Sequence, residues 1–119
     1  MRPVPSATEY AKAFSATMGT TTDFQRSFVV NHYKAADKTA TATELAHSVG
    51  RSSYRVTNRW YGQLARKVSE ELGLRPDSLE ESGDCWLCNL VTFEKRQHQD
   101  YLLHLRPEVA EALEQLGWV

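Results

Sequence analysis

The chain has 119 residues, with 14 bases against 15 acids, 41% apolar and 24% charged residues. That length holds one domain with one modest core, and that composition excludes wholesale disorder. No run reaches the ~18 apolar residues of a membrane span, residues 1–5 lack the apolar core of a secretion signal, and two cysteines cannot build a disulfide framework. The expected compartment is therefore the cytoplasm. The near-neutral total hides a division. Residues 1–67 carry ten bases against four acids, a net +6; residues 68–119 carry four against eleven, a net −7. No acid lies between Glu44 and Glu70. Local clustering of this kind lets a near-neutral protein meet a polyanion.

In chain order, residues 1–19 read as an arm with a short helical pattern from Tyr10 to Met18, closed by Gly19. Thr21, Thr22 and Asp23 offer an N-cap for a helix through about Lys34, with Phe24, Phe28, Val29 and Tyr33 as its apolar stripe. Residues 35–42 are small and polar, a loop. Thr41 and Glu44 form a capping box for a short helix that Gly50 ends. Ser52 or Ser53 caps a long helix over about residues 53–72, which Gly73 stops and Pro76 keeps from resuming.

The C-terminal part changes period. Residues 85–93 are rich in β-formers and read as a strand. Residues 94–99 read as a polar turn, and Tyr101 to Leu105 as the returning strand. Pro107 opens a final helix with Val109, Ala110, Leu113 and Leu116 as its stripe. The expected fold class is α+β: a winged helix-turn-helix in a single domain, residues 1–119. It comprises an N-terminal arm and helix (1–19), a helix-turn-helix core (20–73), a β-hairpin wing (84–106) and a C-terminal helix (107–117).

The strongest functional signal lies on the long helix. At 100° per residue, Arg51, Arg55, Arg59 and Arg66 fall within about 80° of one another. Val56, Trp60, Leu64, Val68 and Leu72 occupy the opposite face. The planar guanidinium fork pairs bidentately with phosphate oxygens or with guanine O6 and N7. Asn58 borders the same face and suits adenine, and Ser53 and Thr57 add hydroxyls. Trp60 and Tyr61 read as core packing, not base stacking. Lys95 and Arg96, with Gln97 and His98, lie at the hairpin tip, within reach of a neighbouring phosphate. The expected site is a double-stranded DNA contact surface of Arg51, Ser53, Arg55, Thr57, Asn58, Arg59, Arg66, Lys95 and Arg96.

Cys85 and Cys88, with His98 and His104, superficially resemble a zinc finger. The nine residues between Cys88 and His98 are fewer than the ~12 usual there, and in a strand the two cysteines face opposite sides. They read as structural cysteines, with no metal and no cofactor expected. No Gly-rich phosphate loop, His-x-x-x-His or Gly-x-Ser-x-Gly occurs, so no enzymatic activity is expected.

Two stretches carry a family resemblance. Thr41-Ala42-Thr43-Glu44-Leu45-Ala46 through Asn58-Arg59-Trp60-Tyr61-Gly62-Gln63-Leu64-Ala65 is one; residues 105–119, ending Leu116-Gly117-Trp118-Val119, are the other. Together they resemble a DNA-reading accessory domain of bacterial HNH-type, modification-dependent restriction endonucleases. The resemblance covers roughly residues 8–119. It implies DNA binding with preference for a modified cytosine, and a nuclease domain as partner. The catalytic His-Asn-His motif of those enzymes is absent, so the chain reads as a lone reading domain or a free-standing relative. The competing expectation is a small winged-helix interaction or inhibitor protein of a phage or mobile element, which keeps the fold and grips a protein instead.

Overall fold

The computed structural model describes residues 2–79 and 84–119. Three of its helices begin with the same device. Ser6 with Glu9, Thr22 with Gln25, and Thr41 with Glu44 each form a complete capping box, which satisfies two of the backbone donors that a helix start leaves free. They open α1 (Ala7–Thr17), α2 (Asp23–Lys34) and α3 (Ala42–Ser48). Accepting bonds from Ser6 also holds the Glu9 carboxyl below its usual pKa.

Gly50 takes φ 78° in the turn after α3. The long helix α4 then runs over residues 54–71 in three parts: an α turn Tyr54–Val56, a wider π turn Thr57–Tyr61 and a regular stretch Gly62–Glu71. Gly73, at φ 68°, ends it as expected. Pro107 opens the last helix, α5 (Pro107–Leu116), and Gly117 closes it in the left-handed conformation.

The strands differ from expectation in three ways. Residues 85–90 are not strand: Cys85 is extended, Trp86–Asn89 form a 3-10 turn, and β-structure begins only at Val91. The hairpin consists of β2 (Val91–Arg96) and β3 (Gln99–Leu105). Its turn is just Gln97 and His98, the latter at φ 60°, so Lys95 and Arg96 belong to β2. A third strand, β1 (Thr39–Ala40), lies within the expected loop. Two residues are too few to show a period-2 pattern. Numbered in chain order with β1 first, the antiparallel sheet runs β1-β3-β2, with Ala40 opposite Leu103 and Val91 opposite Leu105.

The sheet's inner face supplies Ala40, Val91, Leu103 and Leu105 to the core, where they join Phe28, Leu64, Val68 and Leu113. On its outer face His104 bonds Thr39 Oγ1 at 2.9 Å and Glu94 Oε1 at 2.7 Å. Helices α1 and α5 pack on one another, with Phe14 edge-on to Trp118 at 5.4 Å, and α1 also packs on the second half of α4. Asn89 fastens the join between α4 and the sheet. Its amide donates to Ser69 Oγ and the Arg75 carbonyl, and its own carbonyl accepts the Tyr10 hydroxyl at 2.6 Å. Among the described residues, no helix is long and apolar enough to cross a membrane.

Candidate nucleic-acid interface

The turn between α3 and α4 sets the position of the arginine row. The Arg51 N–H donates to the Ala46 carbonyl at 2.9 Å, and Ser53 caps α4 by accepting from the Arg55 N–H at 3.2 Å. The Arg51 guanidinium lies over the Phe24 ring at 5.1 Å. That of Arg59 lies over Trp60 at 4.9 Å. Arg55 is exposed, with neither a ring beneath it nor an acid beside it among the described residues. Asn58 is exposed next to Arg59. Arg66 lies over Trp86 at 5.5 Å and meets Glu70 at 3.7 Å, a contact between two side chains each more than half exposed. Such a pair is worth tenths of a kcal/mol and yields readily to a phosphate.

Thr57 does not belong to this surface. It is fully buried, and its hydroxyl donates to the Ala42 carbonyl at 2.6 Å. At 100° per residue Thr57 falls about 240° from Arg51, between Leu64 at about 220° and Val68 at about 260°, so it lies on the apolar side of the helix. The core stripe of α4 therefore runs through Thr57, Tyr61, Leu64, Ala65 and Val68, while Val56 and Trp60 are only half-buried. Trp60 packs edge-on against Phe24 at 5.8 Å, and Tyr61 is fully buried, so both pack as expected.

On the hairpin, Lys95 is exposed. Arg96 is committed across the tip: its Nε and one terminal nitrogen donate to the Asp100 carbonyl at 3.0 and 2.8 Å. The site expected at Arg96 is thus a brace for the turn. Cys85 and Cys88 form a disulfide, with their Cα atoms 5.4 Å apart. The 3-10 turn brings them to one side, where a strand would separate them. Among the described residues no three His, Cys, Asp or Glu gather as metal ligands.

Sequence reasoning missed two features. One is a set of exposed aromatic side chains, Tyr54, Phe93 and Tyr101, that line one hollow with Asn58. The other is His32, which lies under α4. Its Nδ1 accepts from the Tyr61 hydroxyl at 2.9 Å and its Nε2–H donates to the Leu103 carbonyl at 2.8 Å. Burial drives its pKa down to about 4; the Leu103 bond opposes the shift and nearby His104 adds to it. The ring is therefore neutral at pH 7.

No protein-family model, curated protein or solved structure matches the chain. The surface itself carries the functional reading.

Proposed function

We propose that the chain is a winged helix-turn-helix module that binds double-stranded DNA, with α4 as the recognition helix and the β2–β3 hairpin as the wing. The order α2, β1, α3, α4, β2, β3, with β1 paired to β3, supports the fold assignment. The observation that carries the function is the exposed row of Arg51, in the turn before α4, and Arg55 and Arg59 on α4, with no acid between Glu44 and Glu70. Early residues of a recognition helix meet base edges in the major groove. Arg55, Asn58 and Arg59 hold that position, while Arg51, Arg66 and Lys95 suit phosphate. The role is reading, not chemistry. The likeness to the accessory domain of modification-dependent endonucleases extends the proposal to duplexes carrying a modified cytosine, with a nuclease domain as partner.

A salt series tests this. Arg51, Arg66 and Lys95 on phosphates give a log–log slope of affinity against salt of about −3, from ~0.9 per phosphate. The titration is run on one duplex, cytosine-modified and unmodified. Absence of duplex binding at low salt, or a slope near zero, overturns the reading and favours a protein partner.

A further inference from the structure

The inner face of the hairpin is longer than its helical cover. Phe93 pairs with Leu103 across β2 and β3, and Tyr101 lies two residues along β3 from Leu103, so all three share one face of the sheet. Leu103 is 2% exposed, whereas Phe93 is 37% and Tyr101 46% exposed. Their rings meet edge-on at 6.4 Å. Tyr54, in the first turn of α4 and 49% exposed, faces them across a hollow of about 350 Å³. On the other side of Phe93 lies a second hollow of about 450 Å³, walled by Arg59, Arg66 and Trp86. Asn58 and Phe93 border both, so the two form one trough between the hairpin and α4. Among the described residues, one acid lines each hollow, Asp100 the first and Asp84 the second.

A large aromatic ring left in water loses the free energy of its own burial, and three of them gathered in one place mark a ligand surface. Intact duplex DNA offers these rings no free base face, because its bases are already stacked on one another. An unpaired base has a free face. Aromatic platforms interleaved with guanidinium groups bind unpaired nucleotides by stacking and by phosphate pairing together. We propose that this trough binds unpaired nucleotides. Bases stack on Phe93, Tyr101 and Tyr54, the Asn58 amide meets a base edge, and the phosphates lie along Arg55 and Arg59. The natural target is then a junction, with duplex against α4 and a single strand running beneath the hairpin. The inference shares Arg55, Asn58 and Arg59 with the duplex reading; the aromatic residues are its own.

The test uses three probes, each titrated by fluorescence anisotropy: a roughly 12-nucleotide oligo-dT, its oligo-U equivalent, and a blunt hairpin duplex. The proteins are the wild type, a Phe93→Ser/Tyr101→Ser double variant, and Tyr54→Ser, which alters a different element should the hairpin variant fold poorly. Circular dichroism confirms the fold of each. The expected result is single-strand affinity reduced roughly tenfold or more in either variant, with duplex affinity within about threefold of wild type. Loss on oligo-dT alone points to DNA as the source of the nucleotides, loss on oligo-U alone to RNA, and loss on both to a trough that takes either. If the wild type binds duplex but neither single strand, or the variants bind single strands as the wild type does, the inference falls and the duplex reading stands. If variants lose duplex and single strand equally, the aromatics belong to the duplex surface and the inference also falls. Single-strand binding without duplex binding sustains the inference and removes the duplex reading. Binding of neither probe removes both.

Discussion

Arg55, Arg59 and Arg66 have different surroundings, and the surroundings predict different mutant behaviour. Arg55 stands exposed to solvent and Arg59 rests on Trp60; both are early enough in α4 to meet base edges. Replacing either by alanine should cost about 1–3 kcal/mol of duplex affinity and relax discrimination at one base pair. Arg66, late in the helix and beside Glu70, suits a phosphate. Arg66→Ala should weaken all duplexes alike and reduce the salt slope by about one. Anisotropy titrations of the three variants over a small panel of duplexes check this. Wild-type affinity in both Arg55→Ala and Arg59→Ala at low salt would remove α4 as the recognition helix. The arginines were legible in the sequence because charge and four-residue spacing survive small changes of helical pitch. The expectation for Thr57 rested on its hydroxyl, although the uniform wheel already sets it about 240° from Arg51, among the apolar residues. Tyr54, Phe93 and Tyr101 are plain in the sequence as aromatics, but their exposure depends on where the helices stop covering the sheet, which is a tertiary fact.

At the scale of elements, local signals were the reliable ones. The Thr41–Glu44 box, Pro107, Gly73 and Gly117 all mark the boundaries they were expected to mark, because caps and left-handed glycines act through neighbours in sequence. The Ser6–Glu9 box carried the same signal and places the start of α1 at Ala7, three residues before the helical pattern at Tyr10. The two-residue strand β1 and the 3-10 turn before β2 left no periodic trace. A contact that no pattern shows ties α3 to α4, the bond from Thr57 in the π turn to the Ala42 carbonyl at the start of α3. Thr57→Val keeps the shape and removes the bond. It should lower the unfolding free energy by about 1 kcal/mol, read from the urea midpoint. An unchanged midpoint would show that packing alone sets the angle between the two helices.

At the scale of the molecule, the basic and acidic parts of the sequence are interleaved, not stacked end to end. Helix α1 packs on α5, and β1 pairs with β3. His32 joins three elements by hydrogen bonds: it sits on α2, accepts from Tyr61 of α4 and donates to Leu103 of β3. Both bonds require the neutral ring in one tautomer, and burial holds the folded-state pKa at about 4, against ~6.5 in an unfolded chain. The unfolded state therefore takes up the proton first as pH falls. The stabilisation is fully present above pH ~6.5 and is lost progressively down to pH ~4, amounting to about 2 kcal/mol at pH 5 and about 3 kcal/mol below pH 4. His32→Gln gives the control. Its amide nitrogen donates to Leu103, its oxygen accepts from Tyr61, and it does not titrate. Urea midpoints measured at pH 7, 6, 5 and 4.5 should fall steeply for the wild type. In the variant the fall should be shallow, reflecting only carboxylates such as Glu9, whose pKa the α1 capping box lowers. Parallel curves for the two proteins would mean that His32 carries a proton in the folded state and that its two bonds do not hold the sheet to the helices.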